Sequence, residues 1–162
     1  MEKIHHPLRT NIGYFFNKPI GFFHDFEMEN PEVFIEPDLQ LYNLSGRYTF
    51  SRTREGLLLQ ATFEAEVDSQ CNRCLDPFRA KLSTKFEELY IFESRTQDEF
   101  DDEEVVPEDG YIDLGRPIRD YLLLDLPINL VCKPDCKGIC VECGVNLNRE
   151  TCEHTDSRII FD

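Results

Sequence analysis

The sequence predicts an α+β fold: mainly antiparallel β-sheet, or a partly open barrel, with one packed helix and a cysteine-rich C-terminal tail. Three observations support it. Segments rich in β-formers alternate apolar and polar residues between positions 41 and 92, a single stretch near 115–125 has helical spacing, and the last thirty or so residues are cysteine-rich with few apolar runs.

The strands come first along the chain. Residues 11–17, NIGYFFN, suit a short helix or turn, and 20–28, IGFFHDFEM, read as strand-like, with Pro31 and Pro37 punctuating the passage onward. LYNLSGRYTFSRT and LLLQATFEAEV follow, joined through Arg54, Glu55 and Gly56, a step that suits a hairpin turn. Ala61, Phe63, Ala65 and Val67 alternate with Thr62, Glu64 and Glu66, so one face of this strand is buried. FRAKLSTKFEELYIF (78–92) completes an antiparallel pair whose tip is the tight segment CNRCLDP, placing Cys71 and Cys74 at a hairpin end.

Residues 93–109 hold nine acids against Arg95 alone, about half of the net charge of −15, and read as a solvated acidic loop. LGRPIRDYLLLDLP then reads as a helix of about three turns. Pro117 is tolerated in its first turn and Pro127 lies beyond its end. Ile118, Tyr121 and Leu122 face the sheet, and Leu123, Leu124 and Leu126 widen the apolar face. With 162 residues the chain divides into a β-rich body over 1–131 and a cysteine-rich tail over 132–162 packed on it.

Charge and composition exclude several classes. A formal charge of −15 argues against non-specific nucleic-acid binding and favours basic partners. No stretch approaches the 18 or so apolar residues of a membrane helix, and the start MEKIHHPLRT lacks a secretory apolar run, so a cytoplasmic, membrane-free protein is expected. No Gly-rich phosphate loop, His-Glu-x-x-His or Gly-x-Ser-x-Gly appears, so neither an enzyme nor a small-molecule substrate is expected.

The cysteines point to a metal. A reducing compartment removes disulfides as the default, and seven is an odd number. Cys71 with Cys74, Cys132 with Cys136, and Cys140 with Cys143 followed by Cys152 and His154 supply eight candidate ligands, enough for two tetrahedral zinc sites. The favoured partition is an all-cysteine site of Cys71, Cys74, Cys132 and Cys136, and a second site of Cys140, Cys143, Cys152 and His154. A single site drawing on Cys136, Cys140, Cys143 and Cys152 also fits the spacing, so one or two ions are expected. Such closed sites are structural, leaving no position for substrate. Arg73, Arg79, Lys81, Lys133 and Lys137 flank the cysteines and could form a local basic patch touching RNA. His5, His6 and His24 read as structural or solvated.

CNRCLDPF (71–78), with the run from Ile112 to Asn148 and the closing Cys152, resembles the YceD family of bacterial and plastid proteins. Cys71, Arg73 and Cys74 keep its Cys-x-Arg-Cys, Tyr121–Pro127 its helix to a Leu-Pro step, and Cys136–Asn148 its Cys-Lys-Gly-x-Cys-x-x-Cys-Gly-x-x-Leu-Asn passage. Where many members end in Cys-x-Cys, this chain has Cys152, Glu153 and His154. The resemblance implies a non-enzymatic part in large-subunit ribosomal RNA accumulation, with the nascent large subunit or a basic ribosomal protein as partner. A redox-sensitive zinc protein that exposes apolar surface, or a structural subunit of a stable complex, are the competing expectations.

Overall fold

The structure, a computed structural model, describes residues 8–92 and 104–154. The chain forms two compact units: Met1–Glu66 with Leu82–Leu126, and Val67–Lys81 with Pro127–Asp162. In chain order the elements are β1 (Arg9–Asn11), a 3-10 turn (Gly13–Asn17), β2 (Phe23–Ile35), β3 (Leu39–Arg52), β4 (Gly56–Gln70), β5 (Pro77–Ile91), β6 (Glu104–Val105), β7 (Tyr111–Asp113) and α1 (Gly115–Leu124).

Strands β2-β3-β4-β5-β6 form one sheet in sequence order, and β1 pairs with β7 in a separate two-stranded ribbon. Among the described residues the order ends at β2 and β6, in keeping with the expected mostly antiparallel sheet. One pairing departs from antiparallel: β6 runs parallel to β5, Tyr90 opposite Glu104 and Ile91 opposite Val105.

The first unit is built on period-two burial. Leu57, Leu59, Ala61, Phe63 and Ala65 of β4 face the core while Gln60, Thr62 and Glu64 are exposed. Each buried leucine or phenylalanine contributes roughly 1.5–3 kcal/mol of transfer free energy, and fully buried Phe15, Phe50 and Phe63 anchor the core. The β3–β4 turn closes where the sequence expects it. Thr53 N–H donates to the Gly56 carbonyl at 2.9 Å, Gly56 N–H to the Thr53 hydroxyl at 3.0 Å, and a Cβ on Gly56 would collide with the Tyr90 carbonyl.

Two expectations, on Pro31 and on the helix face, need correction. Pro31 lies inside β2 rather than punctuating it; the β2–β3 register passes over it, from Asn30 opposite Leu44 to Glu32 opposite Tyr42, and among the described residues β2 pairs on one side only, where proline is best tolerated. Of the expected acidic loop, Val105 pairs with the sheet and Val106 is buried, its N–H donating to the Ile91 carbonyl at 2.8 Å, while Pro107, Glu108 and Asp109 are exposed and Asp109 pairs with Arg9 at 2.6 Å. The remainder of that acidic run, 93–103, lies outside the described residues, as do His5 and His6. Helix α1 presents a narrower apolar face than its leucines suggest. Ile118 and Leu122 are buried, whereas Leu123 and Leu124 are exposed. The Tyr121 ring stacks on Phe86 at 4.4 Å and its hydroxyl donates to Glu88 at 2.8 Å.

Candidate metal centre

Among the described residues of the second unit the buried cluster is Cys71, Cys74 and Cys136, with Phe78, Val131 and Cys132 packed against it. Two loops of the same design dominate it. In the loop from Cys71, the Cys71 N–H donates to the Asp76 carbonyl at 2.9 Å and the Leu75 N–H to the Cys71 carbonyl at 2.9 Å. In the loop from Cys140, the Cys140 N–H donates to Val145 at 2.8 Å and the Gly144 N–H to Cys140 at 2.8 Å. The residue after the second cysteine is left-handed in both, Leu75 at φ 61° and Gly144 at φ 74°. This turn folds two sulfurs three residues apart toward one point, the geometry a shared tetrahedral ion requires.

The eight sequence-predicted ligands gather in two groups of four, each with its donor atoms within 4.8 Å of one another: Cys71, Cys74, Cys132 and Cys136, then Cys140, Cys143, Cys152 and His154. Cys136 therefore belongs with the hairpin-tip pair, not with Cys140, Cys143 and Cys152. In the first group Cys71 and Cys136 sulfurs are 3.8 Å apart and those of Cys74 and Cys132 3.7 Å. A disulfide needs about 2.05 Å, whereas four sulfurs at about 2.3 Å from a tetrahedral ion are spaced by about 3.8 Å. All seven thiols are free, and the spacing fits a four-coordinate cation.

Electrostatics agree with that fit. Burial opposes ionisation of Cys71, but backbone N–H groups of Cys74, Cys132 and Arg73 outweigh it and hold the thiol at about 6. Cys74 beside it is pushed up to about 12 by burial, with the Cys71, Cys136 and Cys132 thiols adding to the rise. Burial also raises Cys132. In the second group the Cys143 and Glu142 N–H groups lower Cys140. The His154 N–H favours the Cys152 thiolate, yet the Cys140 sulfur and burial together raise Cys152. The raised thiols of Cys74, Cys132 and Cys152 are those whose ionisation a bound divalent cation would favour.

Arg73 stands out in the sequence, whereas the roles of Asp76, Asn146, Asn148 and Arg149 do not. Arg73 N–H points at Cys71 Sγ at 3.4 Å and Asn148 Nδ2 at Cys136 Sγ at 3.4 Å. Asn146 donates to Asp76 at 2.9 Å, Arg149 pairs with Asp76 at 3.1 Å, and Asn148 Oδ1 accepts the Lys137 N–H at 2.9 Å. The one signal for Asn148 was its place closing the Cys-Lys-Gly passage. The expected basic patch is partly engaged elsewhere: Arg73 donates to the Cys136 carbonyl at 3.3 Å, Arg79 pairs with Asp68 at 3.3 Å and Lys133 with Asp135 at 4.0 Å. A cleft of about 660 Å³ in the first unit, lined by Val33, Ile35, Tyr90 and Ile112, has its Arg119 committed to Asp38 at 2.7 Å and Asp120 at 3.1 Å. Among the described residues no helix is long and apolar enough to cross a membrane.

A mostly antiparallel sheet with one helix, and paired cysteine loops gathering two sets of four candidate ligands, define a small α+β protein of the kind able to carry two closed metal centres. The sequence model of one family, described as large ribosomal RNA subunit accumulation protein YceD, matches residues 59–160, a stretch containing all eight candidate ligands. The chain belongs to the YceD family. An uncharacterized protein of Mycobacterium tuberculosis is 40% identical over 98 residues, 59% of this chain and 47% of the relative. "Large ribosomal RNA subunit accumulation protein YCED homolog 1, chloroplastic" is 43% identical over 47 residues in Arabidopsis thaliana, covering 29% of this chain and 15% of that protein. The protein of the same name in Zea mays is 48% identical over 40 residues, 25% of this chain and 14% of its own length. The chain thus spans about half the length or less of these relatives, and no solved structure matches it.

Proposed function

We propose that the chain is a non-enzymatic cytoplasmic zinc protein serving accumulation of large-subunit ribosomal RNA, and so assembly of the large ribosomal subunit. The observation that carries the reading is the gathering of eight ligands into two four-membered sets inside the stretch matched by the family. Thiolate-rich tetrahedral sets favour zinc over magnesium or calcium, which take oxygen ligands. Four protein ligands fill each ion's coordination, so zinc here shapes the unit rather than activating water. The partner is the nascent large subunit or one of its basic proteins, drawn in by a chain of net charge −15, with RNA contact limited to local patches.

The test has two arms. Elemental analysis of protein purified without added metal should return two zinc ions per chain. In cells lacking the gene, large-subunit ribosomal RNA should recover with the wild-type chain and not with Cys71→Ser/Cys136→Ser. A metal-free, folded protein, or full recovery with the variant, rejects the reading.

Exposed Cys143, in one ligand set with the lowered thiol of Cys140, favours a second reading in which mild peroxide oxidises that pair to a disulfide and expels the ion. Metal retained under peroxide that oxidises free thiols counts against it.

A further inference from the structure

The two ligand sets are joined by side chains that bind neither ion. The hairpin from Gly138 to Arg149 is held by the Ile139–Asn146 bridge and the Leu147 N–H to Gly138 carbonyl bond of 2.9 Å. Its shape depends on the second set, because Cys140 and Cys143 lie within it and Cys152 and His154 follow its end. Yet three of its residues face the first set. Asn148 Nδ2 donates to Cys136 Sγ at 3.4 Å, Asn146 Nδ2 to Asp76 at 2.9 Å, and Ile139 N–H to the Arg73 carbonyl at 3.1 Å, between Cys71 and Cys74. Arg149 adds an ion pair to Asp76 at 3.1 Å, and a Cβ on Gly138 would sit 3.1 Å from the Arg73 carbonyl, so the two loops are in close approach.

Charge gives these contacts a role. Four thiolates around a divalent ion leave two negative charges, while three thiolates and a neutral imidazole leave one. The first centre is the more electron-rich, and buried, so N–H donors on its sulfurs matter most there. Arg73 supplies one from the same loop as the cysteines; Asn148 supplies one from the hairpin that the other ion closes.

We propose that Asn146 and Asn148 are positioning residues that make metal retention at the all-cysteine centre depend on occupancy of the Cys140, Cys143, Cys152 and His154 centre. This rests on the metal reading above. With the second ion gone the hairpin loses its closure, the Asn148 N–H leaves Cys136, and the loop bearing Cys71 and Cys74 loses its Asp76 and Arg73 tethers. By reciprocity, emptying the first centre weakens the second by the same factor.

The test is a cobalt(II) titration of the full chain under chelator competition, read from the thiolate-to-cobalt charge-transfer and visible ligand-field bands, which differ between four-sulfur and three-sulfur, one-nitrogen sites. Cys152→Ser should lower cobalt affinity of the four-sulfur centre by about 10–100-fold, the usual effect of losing groups that orient metal ligands. In an Asn146→Ala/Asn148→Ala background the same change should have no further effect. Should that background fail to fold, Asp76→Ala, which removes the tether without touching a sulfur, should shrink the drop. An unchanged four-sulfur affinity in Cys152→Ser overturns the coupling, and a full drop persisting in the tether variants overturns the role of the asparagines. A chain taking up cobalt at neither centre overturns the metal reading itself.

Discussion

Leu75 holds a left-handed backbone, φ 61°, at the position that Gly144 fills at φ 74° in the matching loop. An L-residue there costs about 1–2 kcal/mol, and glycine costs about 0.5–1 kcal/mol in unfolded-state entropy. Leu75→Gly should therefore be stabilising by less than about 1.5 kcal/mol, seen as slower metal release to chelator, and a faster release would refute this. Cys136→Ser should act the other way. It removes a sulfur 3.8 Å from Cys71 and the acceptor of the Asn148 N–H, so elemental analysis should show at least one ion lost per chain. Tyr48 and Tyr121 are among three tyrosines, with Tyr14, that bear on stability at alkaline pH. Burial raises Tyr48 above 10.0, against the opposing pull of the Thr10 hydrogen bond. The hydrogen bond to Glu88 raises Tyr121, with burial adding. Both phenols are favoured neutral in the folded state, so their contribution is fully present below about pH 10 and lost as pH rises through the folded values. Denaturant midpoints should fall there, and Tyr121→Phe should remove part of that dependence. The grouping of the cysteines was legible because their spacing constrains it; Asn146 and Asp76 were not, since a hydrogen bond between residues 70 apart leaves no local pattern.

At the level of elements, an aromatic row crosses the first unit. Phe26 stacks on Tyr48 at 5.0 Å, Tyr48 on Phe63 at 6.0 Å, Phe63 on Phe86 at 6.3 Å and Phe86 on Tyr121 of α1 at 4.4 Å. Gly46 makes room for it: a Cβ there would strike the Phe63 ring and approach the Thr62 carbonyl to 2.5 Å. Gly46→Ala should cost about 1–3 kcal/mol by overpacking, and Phe63→Ala about 3–5 kcal/mol by cavity formation. Both should appear as lower denaturant midpoints at unchanged slope; midpoints equal to wild type would reject the packing account. The β3–β4 turn, the cysteine-bearing tip and α1 could be read in advance because turn chemistry and period act over a few residues. The parallel β5–β6 pair and the β1–β7 ribbon could not. Strands of two and three residues carry too little alternation, and their partners are set by folding of the rest of the chain.

For the whole molecule, the contrast is between a unit cored by phenylalanine and leucine and one whose buried cluster is mostly sulfur. Structural zinc contributes roughly 10–16 kcal/mol in small peptides, comparable with the entire stability of a domain at about 5–15 kcal/mol. Chelation should abolish amide-exchange protection in 71–76 and 127–154 while β3 keeps its own; equal loss in both would show that the sheet also needs the metal.

The outer strand β2 has a consequence for the protein in crowded solution. Its thirteen residues offer a long ladder of main-chain donors and acceptors of the sort that recruits other chains into fibrils. Exposed Glu27, Glu29 and Glu32 repel a second copy at that border, and the ring nitrogen of Pro31 withholds one donor midway along it. Against them stand the exposed rings of Phe23 and Phe34 on the same strand, so replacing the three glutamates by glutamine should make the border more prone to self-pairing, a change light scattering would read.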